Sequence, residues 1–332
     1  MDHSFDTIPG SSTAIRAGRS CPLHYHYGPA VFDTEPSEAL RNLEVLYVVG
    51  GLYGNELALH EVLRLFDQEH GRKRLVFNGD FHWFDTDPAT FERIQRAVLA
   101  HTALRGNVET ELADPAPTDD AGCGCAYPEW VGDGVVERSN RILTRLRSAT
   151  TAAFRAELAA LPMWQRADVG ALRIGLVHGD AQSLAGWGFA QEHLSQASHR
   201  EQVREWFSRA NVDAFASTHT CLPVFQHLRC ADPSSHRWVF NNGAAGMPNL
   251  AGDTAGLVTR FSTRPLAGGL SRAGVTHAGI FVDALAVEVD TAEAQRRFLA
   301  QWPSGSDAHA SYFSRIVDGP SYRLDQVVRL EN

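Results

Sequence analysis

The chain has 332 residues, of which 44% are hydrophobic and 21% charged, and its formal net charge is -9. This composition is typical of a folded globular protein and argues against wholesale disorder. The negative charge argues against a general nucleic-acid or anionic-membrane surface, which would need clustered Lys and Arg. No stretch approaches the roughly 18 apolar residues of a membrane span. The first residues also lack the basic and apolar regions of a secretory signal.

Cysteine usage suits a reducing compartment, because the count of five is odd for a long chain. We therefore predict a cytoplasmic protein. Cys123 and Cys125 form a Cys-x-Cys pair with no second pair nearby, so a structural zinc site is poorly supported. Redox or metal chemistry of that pair is left open.

The first 42 residues have weak periodicity and many turn residues, and we interpret 1–42 as an N-terminal arm. Within it, His24 and His26 would share one side of an extended segment. That pattern fits a metal or phosphate contact, but it is more often an ordinary strand with a polar face.

A regular alternation of strands and helices follows the arm. Apolar runs at 45–49, 75–77 and 102–105 predict buried strands, and helical patterns at 55–70 and 88–99 separate them. Strands and helices at this spacing form a βαβ series, which implies a mostly parallel sheet.

The second half of the chain predicts a different organisation. We interpret 108–134 as a long loop, 135–161 and 190–211 as helical, and 171–177 as a strand. The short apolar run 213–216 leads into Ser217–Pro223. Four strands without clear helices between them, at 223–229, 237–241, 256–261 and 279–289, then suggest an antiparallel half and two sheets packed face to face.

Four polar residues follow apolar runs, each in a turn where a strand ends: Asp80, Asn107, His178 and His219. Ligands of open α/β sheets bind beyond the carboxyl ends of strands, so these side chains are placed to share one site. A carboxylate, an amide oxygen and two imidazoles together suit a divalent transition metal such as Mn, Fe or Zn.

These residues and their order resemble the calcineurin-like metallophosphoesterase superfamily. The motifs of that family have counterparts at Gly51–Tyr53, Gly79-Asp80, Gly106-Asn107, His178-Gly179 and Thr218–Cys221. The turn at Leu222-Pro223 and the loop 241–248 also look like the segments that follow in the family.

The resemblance covers about residues 43–265 and implies an α/β fold, a four-layer α-β-β-α sandwich of mixed sheets with two metals between them. On this basis 43–265 is the metallophosphoesterase-like domain, and 266–332 is a C-terminal extension packed on it.

The chain departs from the family at one of the two metal sites. The resemblance assigns Asp80, Asn107, His178 and His219 to the intact site. The other site would use Asp80 with three positions that are Gly51, Tyr53 and Cys221 here. The catalytic His that many members carry after Gly-Asn is Val108.

Three interpretations of the altered site follow. It is empty, which leaves a mononuclear centre; or Tyr53 and Cys221 rebuild it; or other residues substitute, with candidates His82, Asp85, His24, His26 and the Cys123/Cys125 pair.

The resulting prediction is a metal-dependent hydrolase of phosphate mono- or diesters that uses a metal-bound hydroxide on a small phosphorylated molecule. Asp80 would be a catalytic metal ligand, and His82, two residues beyond it, a proton donor. The alternative is a metal- or phosphate-binding regulatory module that has lost turnover. Nucleic-acid and membrane partners are not expected, and the oligomeric state is left open.

Overall fold

The computed structural model describes residues 17–114, 121–230, 232 and 235–331. The start of the predicted arm and part of the predicted 108–134 loop lie outside these residues. Within them, the chain forms two six-stranded sheets. The strands are β1 Val45–Val49, β2 Lys73–Asn78, β3 Thr102–Leu104, β4 Trp164–Val169, β5 Leu172–Val177, β6 Ala214–Ser217, β7 Pro223–Arg229, β8 His236–Asn242, β9 Gly256–Ser262, β10 Ser271–His277, β11 Ile280–Val287 and β12 Val328–Arg329.

Helices cover the outer faces of both sheets. Two of them begin as their sequences predict: Asn55 and Asp87 accept backbone N–H bonds at their N-termini, and Pro88 takes the first helical position. The helices are α1 Glu56–Asp67, α2 Pro88–Leu99, α3 Asn107–Ala113, α4 Asp133–Arg147, α5 Ala152–Ala159, α6 Gln191–Leu194, α7 Ala197–Ala210, α8 Thr291–Gln301 and α9 Asp307–Asp318. In the described part of the chain, every helix is too short or too polar for a membrane span.

Both sheets are mixed. The first has the order β10-β11-β9-β1-β2-β3, with β1, β2 and β3 parallel and β9 antiparallel to β1. The second has the order β12-β7-β8-β6-β5-β4, with β5, β6 and β8 parallel. The expected split into a parallel and an antiparallel half is wrong, because β9, β10 and β11 extend the first sheet.

Three apolar layers hold the sandwich together. Leu46 and Val76 of the first sheet meet Ile174 and Phe240 of the second between the sheets. Helices α1, α2, α4 and α9 pack on the outside of the first sheet. The outside of the second is covered by α7 and by Phe32 of the arm. Each buried aliphatic or aromatic side chain contributes roughly 1.5–3 kcal/mol. The predicted four-layer α-β-β-α architecture is confirmed.

Several boundaries differ from the sequence predictions. The predicted 108–134 loop contains α3, and the predicted 135–161 helix is two helices that separate near Thr151, the N-cap of α5. Strands β4 and β10 were not predicted. Residues after 265 supply two strands of the first sheet and one of the second, so that segment is built into the sandwich.

Candidate metal centre

Asp80 lies directly beyond the carboxyl end of β2, in a left-handed backbone conformation with φ of 54°. Such a conformation costs a non-glycine residue roughly 1 kcal/mol or more. The buried Glu109 carboxylate stabilises it by accepting the backbone N–H groups of Asp80 at 2.7 Å, Phe81 at 3.0 Å and Gly106 at 2.9 Å. Glu109 therefore fixes the turn that delivers the Asp80 carboxylate.

Three of the four predicted ligands surround an atom of the fourth, Nε2 of His178. Asp80 Oδ2 lies 3.3 Å from it, Asn107 Oδ1 3.2 Å and His219 Nδ1 3.1 Å. The ligand atoms of Asp80, His178 and His219 all lie within 4.8 Å of one another, and all three residues are buried. This buried group could hold a metal ion.

Hydrogen bonds on the far side of each imidazole set its tautomer. Nδ1 of His178 lies 2.9 Å from the Asn78 carbonyl oxygen, and Nε2 of His219 lies 3.2 Å from that of Cys125. A carbonyl can only accept, so these nitrogens carry the protons. His178 Nε2 and His219 Nδ1 then present lone pairs to the centre, as metal-binding histidines do when a carbonyl orients them.

Asn107 is oriented in the same way. Its Nδ2 donates to the Cys123 carbonyl oxygen at 2.8 Å, which turns Oδ1 inward. The approach is close: a Cβ at Gly106 would lie 2.4 Å from Asp80 Oδ1. Three atoms with lone pairs therefore lie about 3 Å from the lone pair of His178 Nε2. Such an arrangement is stabilised by a positive charge at its centre. The donor set fits Mn, Fe or Zn.

The pKa values follow the same electrostatics. Burial opposes ionisation of Asp80, but the adjacent His178 outweighs it and the pKa of the carboxyl is lowered. Burial likewise opposes protonation of His178, yet Asp80 raises its pKa. Burial and the neighbouring His178 lower the pKa of His219 to about 3. Asp80 thus favours the protonated form of His178, whereas His219 is neutral near pH 7.

Comparison by sequence yields no match, either to a protein-family model or to a curated protein. Solved structures do match. A metallophosphoesterase from Sphaerobacter thermophilus aligns with a TM-score of 0.53 and 16% identity, over 83% of this chain and 100% of its own. A hypothetical protein from Pyrococcus horikoshii OT3 aligns with a TM-score of 0.54 and 15% identity, over 83% and 99%. The chain has the metallophosphoesterase fold. The resemblance that the motifs indicated is confirmed at this level.

At the altered site of this metallophosphoesterase fold, Tyr53 occupies the space beside Gly51. A Cβ at Gly51 would lie 2.9 Å from Cζ and 3.0 Å from Oη of the Tyr53 ring. The ring therefore fills the position where the family's Asp side chain would project. Tyr53 Oη lies 2.8 Å from Cys221 Sγ, so the structure brings these two predicted residues together.

Tyr53 and Cys221 are poorly suited to binding a cation. Burial raises the pKa of the Tyr53 phenol well above its usual value, and it raises the pKa of the Cys221 thiol. Both groups are therefore protonated near neutral pH. Arg315 of α9 donates to the Cys221 carbonyl oxygen at 2.7 Å and fixes this turn.

His82 lies in a separate buried cluster. Its Nδ1 is 2.7 Å from Asp85 Oδ2, its Nε2 is 2.8 Å from Gln95 Oε1, and its ring stacks on Phe91. Burial opposes protonation of His82, but Asp85 raises its pKa. Both ring nitrogens are engaged inside the protein, so this geometry gives His82 no free group for proton transfer. Asp85 is therefore the hydrogen-bond partner of His82, whereas the N-cap of α2 is Asp87.

The remaining candidate substitutes do not join the centre. His24 lies within a short 3-10 turn, Leu23–Tyr25, and His26 directly follows it; both are exposed, whereas Tyr25 between them is buried. Cys123 and Cys125 are buried beside the centre, with their sulfurs 3.0 Å apart. They act on it through their carbonyl oxygens, which orient Asn107 and His219.

Sequence reasoning missed four residues that shape the site. Glu109 had a signal, because a Glu three residues after Gly106 is typical of a helix N-terminus. Trp187 donates to the Cys125 carbonyl oxygen at 2.8 Å and packs against His219. Arg315 and Tyr312 come from α9, and nothing in their local sequence points to the metal centre.

A small cavity adjoins the metal group. Its volume is about 40 Å³, which is enough for ordered water and too little for an organic phosphate. Val108, at the family's catalytic His position, contributes only an apolar side chain. The lining residues are Tyr53, Asp80, Trp83, Val108, Cys125, Tyr127, Trp187, His219, Cys221 and Tyr312.

Proposed function

We propose that the protein hydrolyses phosphate mono- or diesters of a small molecule and uses one divalent transition metal held by Asp80, Asn107, His178 and His219. The observation that carries the proposal is the inward orientation of four lone-pair donors around His178 Nε2. The metallophosphoesterase fold supports the same reaction class.

A metal bound there would polarise a phosphoryl oxygen and lower the pKa of a water. The chain itself supplies orientation: the Asn78, Cys123 and Cys125 carbonyl oxygens hold the ligands by their outer N–H groups. These bonds orient three of the four ligands, and the backbone N–H of Val108 donates to Asp80 Oδ1 at 3.2 Å, which favours a preorganised site.

The residues described around the small cavity offer no evident general acid for neutral pH. Burial raises the pKa of Tyr53 and Tyr127 well above the usual value, and Val108 replaces the family's histidine. A general acid works best when its pKa lies near the working pH. We therefore propose that the preferred esters have a weakly basic leaving oxygen, such as an aryl oxygen, that departs without a proton.

Metal analysis tests the proposal. Purified protein loaded with Mn²⁺, Fe²⁺ or Zn²⁺ is expected to retain one metal per chain by elemental mass spectrometry and to release nitrophenol from 4-nitrophenyl phosphate or its diester. His219→Ala is expected to lose the metal, because a ligand and its orienting bond both disappear. His60→Ala, on the exposed side of α1, should keep both metal and turnover. Retention of the metal by His219→Ala contradicts the assignment.

The alternative function is a metal- or phosphate-binding regulatory module on the same scaffold. The 40 Å³ volume of the small cavity favours it, because an organic phosphate needs more space than this. The two functions are distinguished by turnover. A chain that carries one metal but hydrolyses neither nitrophenyl ester at saturating concentration is a binding module.

A further inference from the structure

A second, much larger cavity lies next to the small one. Its volume is about 540 Å³, within the range of typical small-molecule sites. It opens between α1, α2 and α8, at the edge of the first sheet where β1 and β11 end. Nothing in the proposed chemistry at the metal uses this space.

The interior of the large cavity is apolar and its mouth is polar. Phe84, Met247 and Phe298 line the interior. The charged lining residues are two carboxylates, Glu56 and Asp87, and two arginines, Arg93 and Arg297, so their formal charges balance. Glu56 accepts from Arg93 at 2.5 Å and from Arg297 at 3.0 Å. An apolar pocket with balanced charges at its rim suits an uncharged organic group.

Among the described residues, Tyr53 alone lines both cavities. Its ring lies between them and is tilted against Phe84, with ring centroids 5.9 Å apart. Its hydroxyl has a single hydrogen-bond partner among the described residues, Cys221 Sγ. A change of the Tyr53 rotamer would therefore break one weak bond and join the two cavities.

We propose that the large cavity binds the apolar, aryl-sized organic group of the phosphoester, and that Tyr53 is the gate between this group and the metal. The inference rests on the proposed function. The small cavity is too small for the organic part of an ester, and the large cavity is the neighbouring space, which shares Tyr53 with it.

Ala294 on α8 provides a specific test, because its side chain lines the large cavity. Ala294→Trp fills the cavity and should weaken binding of 1-naphthol, measured by titration calorimetry, and raise the KM for 1-naphthyl phosphate, each by about tenfold. Its metal content should equal that of the wild type. The matched control is Ala292→Trp, an exposed position on the same helix, which should leave both values unchanged.

Tyr53→Ala tests the gate, since it joins the cavities permanently and should lower the KM for 1-naphthyl phosphate. The inference is overturned if the enzyme turns over but Ala294→Trp alters neither naphthol binding nor KM. Absence of turnover by metal-loaded wild type is a different result: it overturns the proposed function, and this inference with it, whatever the naphthol titration gives.

Discussion

Tyr53 fills the space beside Gly51, and this packing supports our proposal that the chain holds one metal. The aromatic ring lies where a side chain would project from position 51. The family resemblance predicts ligands of a second metal at three positions that are Gly51, Tyr53 and Cys221 here. In this proposal, Asp80 has a complete ligand set on one side only.

Restoring the family's ligands should restore the second metal. Gly51→Asp combined with Tyr53→His and Cys221→His is expected to raise the metal content from one to two per chain, measured by elemental mass spectrometry. Gly51→Asp alone should remain at one and lose roughly 1–3 kcal/mol of stability, because the new side chain overpacks against the Tyr53 ring. An unchanged count in the folded triple variant would show that the lost ligands are not the cause.

At the scale of single residues, the sequence predicts well which polar side chains lie at the ends of strands. It predicts poorly which side chains pack around them. Asp80, Asn107, His178 and His219 could be placed together because parallel strands end at one edge. The position of the Tyr53 ring could not, since it depends on a rotamer and on the missing Cβ of Gly51. His82 likewise had the right spacing, but its ring packs on Phe91 instead.

The two-residue strand β12 pairs with β7 over Val328 and Arg329 only. A cluster of charged residues next to it also holds this segment against the second sheet. Glu331, just beyond it, accepts from Arg200 at 2.8 Å, from Arg204 and from the backbone N–H of Arg229 at 2.9 Å. Burial opposes ionisation of Glu331, but the Arg204 and Arg229 hydrogen bonds outweigh it and lower the pKa to about 2.

Glu331 therefore makes stability pH-dependent. Its folded pKa lies below the unfolded value of about 4.3, so the contribution is complete above that pH and is lost as pH falls through about 2. Glu331→Gln should cost about 1 kcal/mol at pH 7 after allowance for solvent screening and flatten the acid side of a stability–pH profile from chemical denaturation. Glu201→Gln, an exposed partner of Arg204, should leave the profile as it is.

At the scale of elements, strong periodicity predicted the buried strands and the capped helices. β10 was missed because it is a partly exposed edge strand with no apolar run. α3 was missed because it begins at Asn107, inside a segment whose later residues are rich in Pro, Gly and Asp. In both cases tertiary pairing, rather than local composition, determines the structure.

The two sheets do not correspond to the two halves of the chain, because the second half supplies strands to the sheet that the first half begins. β9, β10 and β11 complete a sheet begun by β1, β2 and β3, and α9 returns to the metal centre with Arg315. A boundary at 265 thus divides a sheet rather than separating two units, although the family resemblance ends near there.

Truncation tests this arrangement of strands. A chain that ends at 265 loses β10 and β11 and exposes the edge of β9, so it is expected to aggregate or unfold, as judged by gel filtration and circular dichroism. A chain that ends at 290 keeps the first sheet complete and should stay more folded, although it lacks α9. Equal behaviour of the two truncations would contradict a role for the two strands.

The aromatic residues around the small cavity have a consequence for the rate of metal exchange. Trp83, Tyr127, Trp187 and Tyr312 line the cavity beside the proposed ligands, so we expect movement of these rings to help an ion enter or leave. If that movement is slower than breaking the coordinate bonds, the frequency of opening limits exchange. A chelator would strip the protein slowly and at a rate independent of chelator concentration, and the ion acquired during folding would persist.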